Sequence, residues 1–150
     1  MTKKFFEDFH LGPIETKSTR TLSKESIERF AQEYDRLPFH LNEESGKASI
    51  YKGLIASGLQ TLSLTAAMVV DDILIDSSMT GGLGMTDVRW LKPVRPGDCI
   101  RVNATVIETE PLPKQPAMGR VRMGLEVLNQ TGIVVMTSKV DYLFMRRNNA

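Results

Sequence analysis

Three runs in the second half of the chain alternate apolar and polar residues with period two, and they leave few folds open. Ile100, Val102, Ala104 and Val106 alternate with Arg101, Asn103 and Thr105. Val121, Met123, Leu125 and Val127 repeat the pattern, and Val134, Met136, Ser138, Val140, Tyr142 and Phe144 extend it. Successive side chains of a strand point to opposite faces, so each run reads as a strand with one buried face. Turn sequences separate them, among them Pro93-Val94-Arg95-Pro96-Gly97-Asp98 and Asn129-Gln130-Thr131-Gly132. Strands in succession joined by turns predict an antiparallel meander. A further strand is expected over Met85–Leu91, entered through Gly81-Gly82-Leu83-Gly84, and a first one within Glu15–Leu22.

Ahead of the strands lie two helical patterns. Ser23 is an N-cap, and Ile27, Phe30, Ala31 and Tyr34 follow it at helical spacing. From Leu41 to Lys52 the chain is polar and reads as loop with a short helical turn. Gly53 then opens a second helix that runs to Val70 or Asp71 and is apolar on more than one side, which predicts burial. The expected fold is α+β, a curved antiparallel sheet wrapped around that helix. An open sheet has edges that must be covered, and pairing about a two-fold axis is the simplest cover. A homodimer or higher homo-oligomer is expected.

At 150 residues the chain suits one domain spanning 1–150. A formal net charge of +1 provides no field to gather nucleic acid. The longest apolar stretch, Leu54 to Val70, is interrupted by Ser57, Gln60, Thr61, Ser63 and Thr65 and is a poor membrane span. The N-terminus shows no apolar signal region, so a cytoplasmic protein is expected. One cysteine, Cys99, allows no internal disulfide, and two histidines, His10 and His40, make a multi-histidine metal site an unpromising reading.

The chemistry concentrates in Asp35-Arg36-Leu37-Pro38-Phe39-His40. Pro38 fixes its own φ and biases Leu37 toward extended geometry, so a carboxylate and an imidazole share a stiff segment. Such a pair can activate water, because imidazole titrates near neutrality and a carboxylate can orient it. The plainer reading is a helix end followed by a turn, in which Asp35 caps and His40 fills space. Spacing alone favours that plainer reading.

The wider pattern changes the balance. Phe30-Ala31 leading to the Asp35–His40 segment, Gly53-Leu54-Ile55-Ala56-Ser57-Gly58, Arg89-Trp90-Leu91-Lys92-Pro93-Val94-Arg95-Pro96-Gly97-Asp98 and Asn129-Gln130-Thr131-Gly132 together resemble the MaoC-like dehydratases. That family of hotdog-fold proteins includes the (R)-specific enoyl-CoA hydratases. The resemblance implies a hotdog fold, a dimer with its site near the subunit interface, and an acyl-CoA thioester as substrate with no cofactor. It implies catalytic roles for Asp35 and His40, and a thioester-carbonyl contact from the backbone N–H of Gly58. The sequence departs from the hydratase pattern at Leu37, where Asn is usual, at Ser57, where His is frequent, and at Asn42, where Asp is frequent. Leu37 and Asn42 thereby remove polar partners that would orient the pair.

Ser57, Leu37, Phe39, Tyr51 and Arg95 complete the candidate substrate-binding set, with Leu59 and Met85 as further pocket residues. Arg89 and Lys92 join Arg95 as cations that could meet a coenzyme A phosphate. Trp90 reads as core or interface filling, and Ser63 and Thr65 as local hydrogen-bonders. Three functions compete. The leading one is a hydratase or dehydratase of enoyl (3-hydroxyacyl) thioesters. A hotdog thioesterase is the second, and it often carries its carboxylate on the central helix, where this chain has Ser, Gln and Thr. A non-catalytic acyl-thioester-binding subunit is the third.

Overall fold

The alternating runs become the centre of a six-stranded antiparallel sheet in the computed structural model, which describes residues 2–148. In chain order the strands are β1 (Gly12–Ile14), β2 (Thr19–Thr21), β3 (Met79–Trp90), β4 (Cys99–Pro111), β5 (Met118–Leu128) and β6 (Val134–Met145). Their order in the sheet is β1-β4-β5-β6-β3, with β2 also on β4. Register joins the apolar positions across strands: Val102 faces Val127, Ala104 faces Leu125, and Met123 faces Val140. All of these are buried on one face of the sheet. The α-helices among the described residues are α1 (Lys24–Tyr34), α2 (Pro38–Leu41), α3 (Glu43–Ala48) and α4 (Gly58–Val69), the last continued by a π-helical turn over Val70–Leu74. Met68 and Val69 of α4 enter the core formed by the buried sheet face.

Three expectations are refined. The first strand is two short ones, because Thr16 Oγ1 donates to the Val102 carbonyl (2.6 Å) and the Lys17 and Ser18 amides turn aside to Asp72. Strand β3 starts earlier than expected and includes the glycine run, at the cost of three register shifts against β6. The main helix starts at Gly58 instead of Gly53. Residues 53–57 are held extended by distant partners: Ile55 N–H donates to Phe39 O (3.2 Å) and Ala56 N–H to Val94 O (2.8 Å). Ser57 then caps α4, its hydroxyl accepting from the Leu59 amide (3.2 Å).

The helix is not buried all round. Leu59, Ser63 and Val70 form an exposed stripe, and β3, bonded only to β6, is exposed along most of its length, including Leu83, Met85 and Trp90. No helix among the described residues is long and apolar enough to cross a membrane.

Candidate active site

Helix α1 ends at Asp35, whose amide still donates to Ala31 O (2.9 Å) while its own backbone leaves helical geometry. A carboxylate at a helix C-terminus faces the negative end of the dipole, so this placement does not serve α1. The chain then passes Leu37 in extended geometry, and Pro38 starts α2 where its missing N–H costs nothing. Two residues later comes His40, which is buried at 5% exposed.

The imidazole is fixed on two sides. Its Nδ1 lies 2.7 Å from the Ile55 carbonyl oxygen, and the ring meets Phe39 edge-on. A carbonyl only accepts, so Nδ1 carries the proton and Nε2 of the neutral ring is left as an acceptor. Nε2 stands 3.4 Å from Asp35 Oδ2. That separation is long for a direct hydrogen bond. With His40 neutral, both facing atoms are acceptors, an arrangement suited to a molecule that donates to each. The same Oδ2 accepts from the Ser57 hydroxyl at 2.7 Å.

Gly58 is the first residue of α4, and its N–H has no acceptor among the described residues. Such orphan amides, with the helix dipole behind them, favour negative charge. Trp90 Nε1 donates to the Gly58 carbonyl (2.9 Å), and the indole packs on the glycine so closely that a Cβ there would come 2.5 Å from Nε1.

These groups line one cavity of about 420 Å³. Of the sequence candidates, Asp35, His40, Gly58, Ser57, Leu37, Phe39, Tyr51 and Leu59 line it, as does Lys92. The remaining wall is mainly apolar and includes Ile55, Ala56, Val94 and Val135. Arg95, Arg89 and Met85 are outside the lining. The Arg95 guanidinium is committed to the Tyr51 carbonyl (2.7 Å) and braces the loop before Gly53. Ser57 is 1% exposed and its hydroxyl already has two partners, so it is not a free substrate ligand.

Asn42, expected to deprive the pair of a partner, caps α3 instead: its side chain accepts from the Ser45 amide (2.8 Å). Asp and Asn perform that task equally well. Ser63 and Thr65 bond back to the carbonyls of Leu59 and Thr61, as expected. Sequence reasoning missed Trp90 and Thr61 as cavity residues. Thr61 carried a signal, since it lies one helical turn after Ser57 on the same face. No group of His, Cys, Asp and Glu suited to a metal ion is found among the described residues.

Comparison with known proteins shows which family the chain falls in. The family described as "MaoC like domain" matches residues 6–127. Mesaconyl-CoA hydratase of Cereibacter sphaeroides is 30% identical over 148 residues, covering 97% of this chain but 42% of that protein. A MaoC-like dehydratase from Rhodospirillum rubrum superposes with a TM-score of 0.87 at 32% identity, over 96% of this chain and 98% of that one. The unliganded R-hydratase PhaJ1 of Pseudomonas aeruginosa gives 0.75 at 25% identity, over 97% and 88%.

Proposed function

The chain belongs to the MaoC-like dehydratase family, and from that premise we propose that it adds water to, or removes it from, an enoyl (3-hydroxyacyl) thioester of coenzyme A in the (R)-specific manner. The observation that carries this reading is the facing pair itself. A buried imidazole with its Nδ1 proton fixed on Ile55 turns Nε2 toward Asp35, beside the free amide of Gly58. A water held between Nε2 and the carboxylate gives up a proton as its oxygen bonds to the β-carbon. The electron pair of the double bond moves toward the thioester carbonyl, and the Gly58 N–H meets the enolate oxygen. The proton is then delivered to the α-carbon, so hydration consumes one water and leaves the dyad as it began. Dehydration is the same path reversed.

The apolar wall accommodates the acyl group, with Leu37, Phe39 and Tyr51 among the residues that line the cavity. A thioesterase is disfavoured because α4 carries no Asp or Glu. A second copy of the chain completes the assembly in this reading. Exposed Leu59 and half-exposed Trp90 stand at the cavity, and β3 pairs only with β6 among the described residues, so its outer edge is open to a second copy. Sedimentation of the purified protein should give two chains or a multiple of two.

The test is direct. With crotonyl-CoA at neutral pH the protein should remove enoyl absorbance without releasing thiol. Release of coenzyme A would identify a thioesterase. Saturable binding without turnover would identify a carrier subunit.

A further inference from the structure

We propose that Ser57 is a positioning residue for Asp35, acting through the carboxylate and not through the substrate. The inference rests on the hydratase reading of the same site. Ser57 stands 22 positions from Asp35 and is the hinge between the extended segment 53–57 and α4. Its one hydroxyl proton goes to Asp35 Oδ2 (2.7 Å), and a lone pair accepts the Leu59 amide (3.2 Å). The hydroxyl has one proton, and the Leu59 N–H can only donate, so the bond to Asp35 runs from serine to carboxylate.

That direction has two consequences. Oδ2 is bound by the Ser57 hydroxyl, so the carboxylate cannot rotate freely about its terminal torsion. Oδ1 has no partner among the described residues and remains available to accept a proton. Ser57 also links the two halves of the reaction. The residue that caps α4, and so sets the place of the Gly58 amide, is the residue that orients the carboxylate. Here Ser57 occupies the position where the hydratase pattern frequently has His, and it supplies a neutral donor that does not titrate near neutral pH.

Capping and positioning can be separated by the choice of variants. Gly is a tolerable N-cap and Ala a poor one, while Thr keeps the hydroxyl. Hydrogen bonds to a charged group are strong enough that their loss lowers kcat by about tenfold to a hundredfold. Ser57→Gly and Ser57→Ala should therefore both fall in kcat by that factor, with KM within about twofold, because Ser57 is almost fully buried and acts through the carboxylate. Ser57→Thr should recover most of the loss. In an Asp35→Asn background Ser57→Gly should add almost nothing.

A readout independent of turnover accompanies these. The ¹³C resonance of the Asp35 carboxyl at pH 7 should shift in Ser57→Gly and stay near its original position in Ser57→Thr. A Ser57→Gly enzyme with unchanged kcat and ¹³C resonance overturns the proposal and leaves Ser57 as a cap. A wild-type protein inactive on every enoyl thioester would instead end the hydratase reading, while the ¹³C shift would still decide whether Ser57 holds Asp35.

Discussion

Asp35 and Asp141 are almost equally exposed, at 21% and 18% of the side chain, yet the fold uses them in opposite ways. Asp141 sits on the outer face of the sheet with both oxygens bound by permanent cations. Arg122 grips it with two bonds (2.8 and 3.0 Å) and Arg120 adds a third (3.2 Å). The same arginines reach across to Glu108, and Arg120 also to Glu110, so the cluster closes on itself from β4 through β5 to β6. Asp35 has a hydroxyl and a titratable imidazole at one oxygen, and faces a cavity. A saturated carboxylate ties strands together. One with spare valence beside a second acceptor is placed for proton transfer.

Exchanging each aspartate for asparagine is the sharpest way to break this contrast. Asp35→Asn should lower hydration of crotonyl-CoA by about a thousandfold, within the range for loss of a general acid–base group. His40→Ala should do the same while the protein remains folded. Asp141→Asn should leave kcat/KM within about twofold, as it lies on the opposite face of the sheet. Full turnover in Asp35→Asn, or collapse in Asp141→Asn, would erase the distinction.

The next effect concerns the amide end of the site. Gly58→Ala places a methyl group against the Trp90 indole and must displace it. Activity should drop by about a hundredfold if the Gly58 amide meets the developing oxyanion. Trp90 is the only tryptophan in the chain, so its emission should change with the substitution and with bound 3-hydroxybutyryl-CoA. An Asp141→Asn protein should show the wild-type emission in both states.

How much of this was legible beforehand divides along the same line. Period-two alternation announced β4, β5 and β6, and the spacing after Ser23 announced α1, because these patterns are local. Asp35 and His40 were visible as a pair for the same reason. What escaped were contacts made at long range. Gly58 begins α4 only because Phe39 and Val94 hold Ile55 and Ala56 extended. The Ile55 carbonyl that fixes the His40 tautomer is 15 residues away. Asn42 reads in sequence as a lost partner of the dyad, whereas in the fold its side chain accepts from the Ser45 amide. Arg95 looked like a free cation, and its bond to Tyr51 is a contact across 44 residues. The exposed stripe of α4 was hidden because an apolar helix reads the same in sequence whether or not the sheet covers every side of it.

Stability should sort the two aspartates in reverse. Asp141→Asn weakens a bidentate ion pair in a network, worth about 1 kcal/mol, and a chain of this length should lose about 2–4 °C in Tm. Asp35→Asn removes a charge from the unfavourable end of α1 while keeping a side chain that Ser57 can still address. Its Tm should be unchanged or slightly higher, the usual relation where a site is built for activity. Equal losses in both would mean that Asp35 is structural after all.

The smallest effect is the acid end of the stability curve. The Arg122 bonds to Asp141, opposed by burial and helped by the charges of Arg122 and Arg120, hold its carboxyl below the usual carboxylate range. Its folded value is thus lower than its unfolded value, which is about 3.9. A group depressed in this way adds stability that is present in full above the unfolded value. That stability is lost as pH falls through the folded one. Wild type should therefore lose stability progressively below about pH 4, and Asp141→Asn should lose less over the same interval, so that the two curves converge toward acid. Chemical denaturation from about pH 2 to about pH 7 measures this difference. Curves that stay parallel down to the acid end would show that the arginine clamp does not act through the charge of Asp141, and the contrast with Asp35 would then rest on turnover alone.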